Sequence, residues 1–172
     1  MTASGGPILG RYTHNDDATS DVCTVQLLGL PIALFLRARE HHDDLVREFT
    51  LMAIRQTEDP DAPALPQRLG ELVEILGRRY GASASRADAE RDAAIERGDV
   101  TVDLTYVVPR SIAADLIMLT ALMDDADEFC RAEKLLTLPR DPAMVAFGHW
   151  YNSEFLKQIN GLPPTRWTGP LD

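Results

Sequence analysis

The run His41-His42-Asp43-Asp44 holds the side chains best suited to chemistry, two imidazoles and two carboxylates. Such a set could ligate a transition metal or pass a proton, because neutral imidazole and carboxylate are both ligands and bases. The spacing opposes that use. Consecutive helical side chains point about 100° apart, so four in a row do not converge on one ion. His41 and His42 fall at opposite edges of an apolar stripe, while Asp43 and Asp44 face water. Neither the HExxH spacing of zinc proteases nor the Glu-x-x-His pair of di-iron bundles occurs. The remaining histidines, His14 and His149, lie far off along the chain.

Asp115 is the second candidate. It falls among Ile112, Leu116, Leu119 and Leu122, on a helix face that otherwise goes inward. A buried, unpaired carboxylate is costly, so Asp115 should meet an arginine or histidine, or line a pocket. His41, His42 and Asp115 therefore make a candidate buried polar cluster. Trp150 projects away from the Tyr151–Phe155 stripe, near Glu154 and Lys157. An exposed tryptophan on a rigid helix is a good anchor for another protein, which makes Trp150, Glu154 and Lys157 the candidate partner interface. The competing reading is that the C-terminal segment covers Trp150.

No GxSxG elbow, GxxxxGK phosphate loop or GxGxxG turn is present, and the acid pairs at Asp16, Asp43 and Asp124 fit no calcium loop. Cys23 and Cys130 lack metal spacing and read as small buried apolar residues. The residues nominate no catalytic group, no cofactor and no metal.

The elements that would position these side chains follow one pattern used twice. A short alternating strand runs into a proline, which opens an amphipathic helix carrying Asp-Asp and then Glu-Phe. The copies are Val25, Leu27, Pro31, Asp43-Asp44, Glu48-Phe49 and Val102, Leu104, Pro109, Asp124-Asp125, Glu128-Phe129. Their offset drifts from 77 residues at Val25/Val102 to 81 at Asp43/Asp124, so convergence is a simpler account than duplication. The two strands must satisfy their backbone groups, and pairing with each other is the simplest way.

A helix over about 31–55 buries Leu34, Ala38, Leu45, Phe49 and Met52. Residues 57–66 carry three prolines and form a loop, and Leu69, Leu72, Val73, Leu76 and Tyr80 make a second stripe. Ser85 and Asp88 suggest a capping box for an alanine-rich helix that Gly98 ends. A helix from Pro109 or Ser111 to about Leu136 buries Ile112, Leu116, Leu119, Met123, Phe129 and Cys130. The last helix is capped by Asp141, starts at Pro142 and stops before Gly161. Its core face holds Met144, Gly148, Tyr151, Phe155 and Ile159.

With 172 residues the chain fits one domain. Its net charge of −10 repels phosphate backbones and anionic lipid, which argues against nucleic acid and membrane surface as partners and favours a basic patch on a protein. The apolar stretch from Val22 to Leu36 is too short and broken to span a bilayer, and residues 1–7 do not read as a secretory signal, so a cytoplasmic protein is expected.

Several segments carry a resemblance. They are Val25 to Pro31, Arg37 to Phe49, Gly77-Arg78-Arg79-Tyr80-Gly81, Asp103 to Pro109, Asp127 to Cys130 and Leu135 to Pro139. Together they resemble a family of small actinobacterial proteins that occur beside anti-sigma-factor kinases of the GHKL type, STAS-domain antagonists and PP2C-like phosphatases. The resemblance covers about residues 23–160 and implies a part in a partner-switching stress-response circuit. It brings no catalytic residue with it. The chain lacks the asparagine box and glycine-rich lid of a GHKL kinase and the strand–helix alternation of a STAS domain.

The resulting expectation is an α+β, mainly α domain over residues 22–161, with a flexible tail at 1–21 and a C-terminal tail at 162–172 anchored by Trp167. Four to five helices pack around Phe35, Phe49, Phe129 and Phe155, with a two-stranded ribbon from residues 23–29 and 101–108. The expected function is a non-enzymatic protein-binding regulatory module, its partner an anti-sigma factor or the antagonist of one. The alternatives are a bundle binding a small molecule or metal through His41, His42 and Asp115, and a homodimer packed through the alanine-rich helix.

Overall fold

Alternating burial assembles the first piece of structure. Val25 and Leu27 in β1 (Val22–Pro31), and Leu104, Tyr106 and Val108 in β2 (Thr101–Pro109), are all buried, and the strands pair antiparallel. The expected ribbon is present and slightly longer than read. This computed structural model describes residues 21–56 and 84–172. The expected N-terminal tail up to residue 20, the loop 57–66 and the stripe Leu69 to Tyr80 lie outside the described residues.

The ladder is interrupted once. Pairing runs from Val22–Pro109 to Leu27–Leu104 and resumes at Leu30–Val102, so Leu28 and Gly29 stand opposite Asp103 alone. This is a β-bulge. Gly29 has φ 68°, where a side chain is disfavoured, and its N–H donates to Asp103 Oδ1 at 2.6 Å.

Pro31 is the last residue of β1, not the first of a helix. The helix α1 (Ile32–Gln56) begins one residue later, with its first N–H bonded to Val100 O at 3.0 Å. Residues 84–97 form α2, which is already helical at Ser85, so that serine is no cap. Its buried side is Ala87, Arg91 and Ala94, one residue per turn, with the Arg91 guanidinium 5.0 Å from the Phe35 ring centroid. Of the alanine-rich helix considered for a dimer, Ala87 and Ala94 are buried within this chain, while Ala89 is exposed.

The helix α3 (Ile112–Arg131) ends short of the expected Leu136, where Glu133 takes φ 55°. Punctuation of α4 (Pro142–Ile159) is as read: Asp141 accepts from Met144 N at 2.9 Å, Pro142 is the first residue, and Gly161 follows with φ 82°. Among the described residues there are four helices and one two-stranded sheet, a mainly helical α+β fold.

The aromatic centre expected around four phenylalanines is divided in two. Phe35 and Phe155 belong to a core that joins the ribbon to α2, α3 and α4. Phe49 and Phe129 belong to a smaller one with Leu45, Leu122, Ala126 and Leu135. Helix α4 lies between β1, α1 and α3. Cys130 is buried and Cys23 half-buried, both as free thiols whose pKa burial pushes up.

Candidate functional site

Residues 162–170 have no regular structure, yet they are seated along α4 and β1. Glu154, 1% exposed, is the centre of that seat. Its carboxylate accepts from Lys157 Nζ at 2.7 Å, Gln158 Nε2 at 3.0 Å, Thr165 N at 3.0 Å and the Thr165 hydroxyl. Burial pushes this carboxyl up, and the four donors outweigh burial, so its pKa lies below the usual glutamate range. Lys157 also donates to Thr165 Oγ1 at 2.7 Å.

The next two residues lock onto the ribbon. Arg166 pairs with Asp103 at 3.1 Å and crosses directly over Gly29, where a Cβ would come within 2.8 Å of Arg166 Nη1. Trp167 N–H donates to Leu28 O at 2.9 Å on the outer edge of β1. Beside it, the Gln158 side chain accepts from Gln26 N and donates to Gln26 O, both at 2.8 Å. An open strand edge is thereby satisfied by a side-chain amide and a fragment of tail. The Trp167 ring lies 5.3 Å from Trp150 and 5.9 Å edge-on to Phe147.

Trp150, Glu154 and Lys157 are therefore brought together, as the spacing suggested, and they hold the chain's own C-terminal segment in place of an open surface. The single anchor expected for that segment, Trp167, is one of three with Thr165 and Arg166.

His41, His42 and Asp115 are not brought to one place. His41 faces the segment after α3, with Nε2 2.8 Å from Leu138 O and a buried Nδ1 that has no hydrogen-bond partner. His42 lines a different pocket, between α1, α3 and α4, and Asp115 lines neither. Burial lowers the His42 pKa from its ordinary value of 6.5, against an opposing pull from Asp43. Asp115 is half-buried. Among the described residues, no three His, Cys, Asp or Glu side chains form a group able to hold a metal.

Among the described residues the buried acids are instead Glu154 and Asp127, the latter 2% exposed. Asp127 accepts from Arg140 N and Nε, each at 3.0 Å, while Arg140 Nη2 reaches Asp124 at 2.8 Å. His149 Nε2 lies 3.1 Å from the same Asp124 carboxylate. This chain of charges ties the end of α3 to the start of α4.

Between those helices lies a feature the sequence reading missed. Glu48 of α1 accepts from Leu136 N at 2.5 Å, Thr137 N at 2.9 Å and Thr137 Oγ1 at 2.8 Å. Burial raises the Glu48 pKa, and these three donors bring it below the usual range. Arg37 pairs with Asp141 at the far end of the loop. On this pinned backbone Leu136 is 94% exposed and Leu138 78% exposed. A groove of about 520 Å³ runs beside them, with Glu40, His41 and Asp44 in its wall.

No helix among the described residues is long and apolar enough to cross a membrane. Comparison with protein-family models, curated proteins and solved structures finds no match for this chain.

Proposed function

We propose that the protein is a non-enzymatic regulatory module that binds another protein through the loop between α3 and α4. The observation that carries this reading is the pair Leu136 and Leu138, 94% and 78% exposed on a backbone held by Glu48 and His41. Leucines left in water gain nothing for the fold, while a prearranged backbone lowers the ordering cost of docking. Glu40 and Asp44 in the adjoining groove, with the net charge of −10, favour a partner with a basic rim around an apolar pocket.

The finer part of the proposal rests on the resemblance of segments such as Arg37 to Phe49 and Leu135 to Pro139 to the actinobacterial family. It makes the partner a cytoplasmic component of a sigma-factor stress-response circuit, an anti-sigma factor or the antagonist of one.

The test is the double variant Leu136→Ser/Leu138→Ser. Both side chains are exposed, so the thermal midpoint should stay within a few degrees of wild type. Affinity for a purified anti-sigma kinase or STAS antagonist of the same circuit should fall at least about tenfold, measured by interferometry. Equal binding by wild type and variant would remove the loop from the interface.

A further inference from the structure

The pocket lined by His42 has a volume of about 260 Å³ and is walled by Phe35, Leu119, Met123, Met144 and Phe147. In a chain with 27 acidic residues its lining contains none, yet it contains two arginines and two histidines. Most polar groups there are already engaged. Arg140 is bound to Asp124 and Asp127, His149 faces Asp124, and Asn152 donates to Thr120 Oγ1 at 2.8 Å. The Tyr151 hydroxyl turns away to Tyr106 at 3.2 Å. Arg39 and His42 remain, with no hydrogen bond or ion pair among the described residues, three positions apart on one face of α1.

We propose that this pocket binds a small monocarboxylate, its apolar body among the phenylalanine and methionine side chains and its carboxylate on Arg39 and His42. Size sets the class of ligand. An apolar cavity of about 150 Å³ takes one benzene ring, so this pocket has room for roughly ten non-hydrogen atoms. Two methionines in the wall adapt to either an aromatic ring or an acyl chain. Arg39, the lining arginine with no acid partner among the described residues, selects an anionic head over a cationic one.

The test titrates octanoate and hydrocinnamate into the full chain carrying methyl-labelled methionine, following the Met123 and Met144 signals by NMR. Both acids should shift those signals in a saturable way. Octanol should bind about tenfold more weakly than octanoate, and Arg39→Ala should weaken octanoate by a similar factor without affecting octanol. Leu136→Ser/Leu138→Ser should leave octanoate binding unchanged, because neither leucine lines the pocket. The absence of a shift with either acid at millimolar concentration overturns the proposal, and so does octanol binding as tightly as octanoate. Both failures leave the loop's role in protein binding untouched.

Discussion

Replacing Glu154 by Ala removes the acceptor for four donors and leaves the Lys157 ammonium half-buried beside Thr165. The expected cost is about 2 kcal/mol, read from urea unfolding followed by far-UV circular dichroism, because a partly buried cation loses its partner. Glu154→Gln keeps some acceptors and should cost less. The sequence put Trp150, Glu154 and Lys157 on one side of a helix, which is a local property and was legible. What that side binds depends on the turn after Gly161, which brings Thr165 back over α4, and no helical period encodes that. Asp127 was missed for a related reason. It reads as one more acid in a solvated run, and its partner Arg140 arrives only through the loop that follows α3.

At the scale of elements, the bulge in β1 has a second use. It turns Gly29 so that Arg166 can lie across the strand; the positive φ disfavours a side chain there, and a Cβ would push the Arg166 side chain aside from its 2.8 Å approach. Gly29→Ala should therefore destabilise the fold by about 1 kcal/mol or more and slacken the Arg166–Asp103 pair. Loss of exchange protection at the Trp167 amide, with protection in the β1–β2 ladder kept, is the signature to look for. Alternating strands, Pro142 and Gly161 were legible because each acts on its own neighbourhood. The end of α3 was not, because Leu135 and Leu136 extend the apolar pattern past the true stop. Glu48, 88 residues away from Leu136, takes over those backbone amides and fixes the loop instead.

For the molecule as a whole, several displaced pKa values act in one direction. Glu48, Glu154 and Asp141 have folded values below their ordinary ones, the first two through donors that overcome burial and Asp141 mainly through the Met144 amide. As pH falls, the unfolded chain binds protons first, so this stability is full above the ordinary glutamate value of 4.5 and is lost as pH drops through the folded values. His42, lowered by burial, adds the same sign earlier, from its ordinary value of 6.5 downward. Urea midpoints should fall steadily on acidification, and Glu48→Gln with Glu154→Gln should flatten the lower part of that slope. The fold class was legible from stripes and alternation. The split into two cores was not, since it depends on how α4 lies between β1, α1 and α3, a matter of packing rather than pattern.

Both tryptophans of the chain sit in one edge-on pair, ring centroids 5.3 Å apart, where the C-terminal segment meets α4. Indole emission from this protein therefore reports on a single spot and is nearly blind to the leucine loop. A spectral shift signals release of the strap, while an unchanged spectrum on adding a partner means that contact was made elsewhere.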